Sequence, residues 1–165
     1  MTAVGFVPLL DDAGVAVSGD EGGKLWRWDT GSGEQVGEPI QAHDSQIAMI
    51  RGLSGTKEPL FVSSDHEGVL KRWNAITGAE VGEALEPGAE VYSLATAIVR
   101  DVGVLFAAGA DDTVRAWVAE SGEPIGLSLE GRVVSALTRP DGTSLVVTST
   151  ARGEISVHTC SFDAE

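Results

Sequence analysis

"KLWRWDTGSGEQVGEPI", residues 24–40, sets two tryptophans in a basic stretch ahead of a Thr-Gly turn, and the stretch returns twice more without a gap. Residues 69–85 read "VLKRWNAITGAEVGEAL" and residues 113–129 read "TVRAWVAESGEPIGLSL". A fourth, weaker copy opens with "EISVHT" at residues 154–159. With Trp28, Trp73, Trp117 and His158 as equivalent positions, the spacings are 45, 44 and 41 residues. A period of about 40–45 residues is that of four-stranded propeller blades. Trp28 is therefore read first as a packing residue, and only then as a binding platform.

Inside each period the apolar residues alternate and are cut by turns, which predicts short strands. The second repeat divides into an innermost strand over Ile47–Leu53, a second over Leu60–Ser64, a third over Val69–Trp73 and an outer strand over Glu80–Leu85. The other innermost strands are expected at Ala3–Val7, Val91–Ala97 and Val133–Thr138, and the other second strands at Val15–Ser18, Val104–Gly109 and Leu145–Ser149. Stretches such as "DDAG" (11–14) and "RPDG" (139–142) supply the Asp and Gly that tight reversals need. No segment carries a helical period with caps. The repeat units run over residues 3–41, 42–86, 87–130 and 131–160, within one domain spanning 1–165.

Composition bounds the function. The 165 residues hold 25 acidic against 11 basic side chains, a net charge of −14 that repels phosphate backbones and argues against nucleic-acid binding. The opening "MTAVGFVPLL" has neither the basic flank of a signal peptide nor the length of a membrane span. A lone cysteine, Cys160, has no internal disulfide partner. It fits a cytoplasmic chain.

The stretch "GADDTVRAWVAESGEP", with "PIQAHDSQIAMI" upstream, resembles the WD40-repeat β-propeller pattern, whose repeats are marked by a Gly-His element, an Asp-containing turn and a Trp-Asp dipeptide. The resemblance covers about residues 3–159. Its signatures are loose: only Trp28 is followed by Asp, and only His43 holds the histidine position, after Ala42 instead of Gly. The family joins a His, a Ser or Thr, an Asp and the Trp by hydrogen bonds inside a blade. Carried over, the second repeat offers His43, Ser63, Trp73 and Glu67 in place of Asp. The third offers Asp111 and Trp117, with Pro87 and Ala107 at the other positions, and the fourth offers Thr148 and His158. No blade is expected to hold the full set, and each buried donor without a partner costs about 1–3 kcal/mol.

The expected fold is all-β: a WD40-like propeller of four consecutive blades forming a partial ring, the last blade incomplete. Such an arc exposes the apolar faces of its end blades, expected around Val4, Phe6, Val15 and Val17 and around Val134, Leu145, Val147 and Ile155. Those faces imply a homo-oligomer or completion by another propeller segment.

Chemistry finds little support in the sequence. Asp65, His66 and Glu67 in "SSDHEG" are adjacent but match no recognised metal spacing. Cys160 lacks an evident base, Asp11-Asp12 and Asp111-Asp112 fall in turns, and no phosphate-binding glycine motif is present. No catalytic, cofactor or metal site is assigned. Trp26 is the one aromatic that the repeat leaves unexplained. What remains is a surface. The loops entering the innermost strands and those joining second to third strands share one propeller face, carrying Asp20, Glu21, Asp44, Asp65, His66, Glu67, Glu86, Glu90, Asp111 and Asp112, opposed by Arg132 and Arg152. The expectation is a noncatalytic protein-interaction scaffold docking a basic protein or peptide, with a propeller enzyme or metal-dependent binder as the alternative.

Overall fold

The computed structural model describes residues 2–9 and 13–160, and among them fourteen β-strands and no helix. The strands form four small antiparallel sheets, each built from strands in sequence order. The first holds β1 (Ala3–Pro8), β2 (Gly14–Gly19), β3 (Lys24–Asp29) and β4 (Ile40–Gln41), and the second β5 (Ile47–Gly52), β6 (Leu60–Asp65) and β7 (Leu70–Asn74). The third holds β8 (Val91–Val99), β9 (Val102–Gly109), β10 (Thr113–Val118) and β11 (Pro124–Glu130), and the fourth β12 (Val133–Thr138), β13 (Ser144–Ser149) and β14 (Ile155–Cys160). No helix among the described residues is long and apolar enough to cross a membrane. The Asp11-Asp12 turn lies outside the described residues.

The chain divides into two compact units. One comprises the residues up to Leu53 with Lys57–Glu86, the other Ser54–Thr56 with the residues from Pro87 onward. In the first unit the strand alternation turns Val7, Val15, Val17 and Leu25 of the first sheet onto Ile47, Ile50, Phe61 and Trp73 of the second. Each such side chain contributes about 1.5–3 kcal/mol through burial. The second unit repeats the arrangement with smaller residues, setting Ala97, Phe106 and Val114 of the third sheet against Val134 and Val146 of the fourth.

Two expectations about packing are corrected by the same alternation. Val15, Val17 and Val134 are buried inside their own units; the exposed large apolar residues of the first sheet are Val4, Phe6 and Trp28, and those of the fourth are Val133, Leu137, Ile155 and Val157. Trp28 is 38% exposed, whereas Trp73 is 3% and Trp117 5% exposed. On β3 it is Leu25 and Arg27 that turn onto the second sheet, so Trp28, one residue on, points to the opposite face.

The outer strands differ from the expected Glu80–Leu85 pattern, and a buried arginine explains why. Arg27 Nη1 donates to the carbonyls of Ala75 and Ile76 at 3.2 and 2.6 Å, and the guanidinium lies so close to Gly37 and Gly78 that a Cβ there would sit 2.8 and 2.7 Å from Nη2. Arg72, equally buried, stands over Gly82 in the same way. Gly37 and Gly82 adopt φ of +67° and +69°, which breaks the outer strand. The first sheet keeps only β4 and an isolated Trp28–Gln35 bridge, and the second only the bridges Leu70–Leu85 and Trp73–Glu80. In the third repeat Ala116 replaces the arginine and the equivalent Gly126 meets nothing within 4 Å. There the outer strand β11 extends over Pro124–Glu130, with a bulge opposite Arg115 and Ala116.

Gly37→Ala should therefore cost about 1–2 kcal/mol, combining left-handed strain with displacement of Arg27. Gly126→Ala should be neutral or mildly stabilising. Chemical denaturation of both variants checks this. Equal destabilisation would contradict the role given to the arginine.

Candidate functional site

At one end of the first unit a buried hydrogen-bonded chain holds three loops. The indole of Trp73 can only donate, and its Nε1–H reaches Ser63 Oγ at 2.9 Å. Ser63 then directs its own proton to His43 Nε2 at 2.7 Å, which leaves the imidazole proton on Nδ1, facing Asp65 Oδ2 at 3.2 Å. Asp65 Oδ1 accepts the backbone N–H groups of Glu67 and Val69 at 3.1 and 2.9 Å. One tautomer of one neutral histidine satisfies every group in the line. Burial holds the His43 imidazole below the usual histidine range, against the pull of the Asp65 carboxylate.

This corrects the expected assignment on two counts. The second repeat carries the full His–Asp–Ser–Trp set, and the acid is Asp65, not Glu67. Asp65 ends β6, so its carboxylate turns inward beneath the loop that Glu67 exposes. Being 3% exposed and fully engaged, Asp65 is also removed from the partner-contact residues and from any metal set with His66 and Glu67, both of which are exposed.

The first repeat holds the matching partial set. Asp20 Oδ1 accepts from the N–H groups of Gly22 and Lys24 at 2.9 and 2.8 Å, and Trp28 Nε1 donates to Ser18 Oγ at 3.3 Å. The third has Ala107 and Gly109 at the hydroxyl and carboxylate positions. Its Asp111 pairs with Arg115 at 2.7 Å on an exposed turn, so it fixes the turn and joins no chain to Trp117. In the fourth, Gly131 stands against Thr148 where a histidine would stand. Thr148 Oγ1 and His158 Nε2 are buried there without a protein partner.

The loops above the chain are knit together. Ala42 and His43 donate their N–H groups to the Gly23 carbonyl, Ile47 donates to Asp20, His66 to Gln46, and the Gln41 side chain to Gly22 and His43. Glu21, Asp44 and Glu67 are exposed on these loops beside His66, with Asp20 half-buried among them. The corresponding end of the second unit is more evenly charged. The Arg132 guanidinium lies 4.7 Å over the Tyr92 ring, the Tyr92 hydroxyl donates to Glu90 at 3.3 Å, and Arg115 neutralises Asp111. Arg152, Asp112 and, in the first unit, Glu86 are exposed. Burial pushes the Cys160 thiol up, the opposite of an activated nucleophile.

The buried arginines were missed in the sequence, although a signal was there. Arg27 and Arg72 both precede the repeat Trp, each with a glycine nine residues after that Trp.

No family model and no curated protein matches the sequence. Among solved structures 830 chains match, so the fold by itself selects no function. The computationally designed Ika4 protein superposes with a TM-score of 0.73 at 21% identity, over 97% of this chain and 91% of its own. The computationally designed Ika8 protein gives 0.69 at 21% identity over 96% of this chain, which spans only 45% of Ika8. At this identity the likeness is one of fold alone.

The buried histidine sets a pH dependence. His43 is neutral when folded and has the ordinary value of 6.5 when unfolded, so the unfolded chain takes up the proton first as pH falls. Its contribution is full above pH 6.5 and is lost as pH drops below that value. Asp29 and Asp111, held low by Ser32 and by Arg115, lose their contribution only as pH falls below the ordinary carboxylate value of 3.8. His43→Gln should cost about 1–3 kcal/mol at pH 7.5 and flatten the loss of stability between pH 6.5 and 5. Denaturation at several pH values checks this, and an unchanged slope in the variant would contradict it.

Proposed function

We propose that the chain is a set of four consecutive WD40-like propeller blades acting as a noncatalytic interaction scaffold, whose acidic loops capture a basic protein or peptide segment. Two features support the propeller reading. Each sheet meets its strands in sequence order, and the second repeat carries the hydrogen-bonded set that the WD40 resemblance implies. The observation that carries the function is the loop cluster of the first unit. Glu21, Asp44 and Glu67 project from three loops tied to one another and anchored on a buried chain.

Preorganised like charges raise the encounter rate with an oppositely charged partner, and the gain falls with ionic strength. A flexible acidic tail would order itself on binding at an entropic cost that these loops avoid. The second unit contributes differently. With Arg132 stacked on Tyr92 and Arg115 on Asp111, its loops present an aromatic–cation pair beside the exposed Asp112.

The test is association of lysine- and arginine-rich peptides with the wild-type chain and with a Glu21→Lys, Asp44→Lys, Glu67→Lys variant. The wild-type rate should fall steeply with salt; the variant should associate about tenfold more slowly at low salt and lose the dependence. The same three reversals should leave the fold intact, since all three residues are exposed. Rates indifferent to both salt and charge reversal would contradict the proposal.

A further inference from the structure

The first and fourth sheets each leave one apolar face in solvent, and the strand registers identify what those faces are. In the first sheet Val4 pairs with Ser18, and Ala16 lies between Phe6 and Trp28. In the second sheet Ile50 pairs with Ser63, and Phe61 pairs with Trp73. The open face of the first sheet is thus the counterpart of the face by which the second sheet packs on the first. There Ile50, Phe61, Ser63 and Trp73 are buried; here Val4 is 65% and Phe6 53% exposed.

The fourth sheet supplies the opposite half of that contact. Gly5 pairs with Val17 and Val17 with Arg27 on the face of the first sheet that receives the second. Ser135 pairs with Val147 and Val147 with Val157 in the same register of the fourth sheet. Leu137 and Leu145 fall at the places of Val7 and Val15, and Ile155 at that of Leu25. Ile155 is 71% exposed where Leu25 is fully buried.

We infer that the open face of the fourth sheet binds the open face of the first sheet in a second copy of this chain. The contact repeats between molecules the packing that joins the first and second sheets within the first unit, which is why the occupant is a second copy and not an unrelated protein. It is heterologous, so a chain with one face of each kind either closes a ring with its copies or grows without limit. Closure at two copies gives eight sheets, within the usual range of about 4–8 blades, and this stoichiometry rests on the propeller reading. Three copies would exceed that range.

Analytical ultracentrifugation of the full chain between about 1 and 100 μM tests it. The expected species has twice the 17.1 kDa mass of the chain. Phe6→Glu and Ile155→Glu should each weaken self-association at least tenfold while far-UV circular dichroism stays unchanged, because both side chains are exposed in the single chain. Val4→Glu and Val157→Glu give the same readout should either first variant fail to fold. Mixing Phe6→Glu with Ile155→Glu leaves one intact contact between unlike variants and should restore a mixed dimer. A wild-type monomer throughout the range, or self-association lost through variants of one face but not the other, overturns the inference, and open-ended growth overturns the closure at two copies. Mass and peptide association are read separately, so either proposal can fail alone.

Discussion

The line of hydrogen bonds from Trp73 through Ser63 and His43 to Asp65 is the interaction on which the surface of the first unit depends. Strand pairing fixes the sheets, but it does not fix the loops between them. Asp65 does so by accepting two backbone N–H groups in its own turn while His43 holds its other oxygen. His43 belongs to the neighbouring loop, whose backbone bonds in turn reach Gly23 and Asp20. In a water-poor interior such a line is strong when complete and costly when one member is missing. Its charge state therefore matters as much as its geometry, because a proton on Nε2 would oblige Ser63 Oγ to accept from two donors and strand its own.

The repeats show how this stabilisation is distributed. The second carries the full line, the first a shorter version through Asp20 and Ser18, and the third and fourth replace members with Ala107, Gly109 and Gly131. The third exchanges that line for a longer outer strand. Ala116 is the hinge of that exchange. With no guanidinium to house, Gly126 needs no left-handed turn, and β11 extends over Pro124–Glu130 with a bulge opposite Arg115 and Ala116. The buried Arg27 shows the opposite choice, accepting desolvation, which lowers its pKa, in return for bonds to two carbonyls of the turn that follows β7.

Period and alternation made the all-β arrangement and most strand positions legible in the sequence, because turn residues and apolar spacing are local properties. The positions that misled were decided by neighbours. Glu67 stands two residues beyond Asp65, and only the end of β6 determines which carboxylate turns inward. Trp28 and Trp73 occupy the same place in their repeats, yet one meets another sheet within its unit and the other meets solvent. Alternation says that strand residues take opposite faces; it does not say which face is covered. The acidic loops were legible as composition, whereas their mutual hydrogen bonding and the neutralisation of Asp111 by Arg115 were not.

The contrast between the two tryptophans also gives the most direct test of the account. Hydrogen exchange of the indole N–H groups can be followed by NMR in the Ile155→Glu chain, in which the open face of the first sheet stays uncovered. The Trp73 N–H, buried and bonded to Ser63, should exchange only through large-scale opening, together with the Glu67 and Val69 amides that Asp65 holds. The Trp28 N–H, on an open face with a longer bond to Ser18, should exchange several orders of magnitude faster. Similar fast exchange at both indoles, or rapid exchange of Glu67 and Val69 beside a protected Trp73, would show that the buried line does not hold the loops.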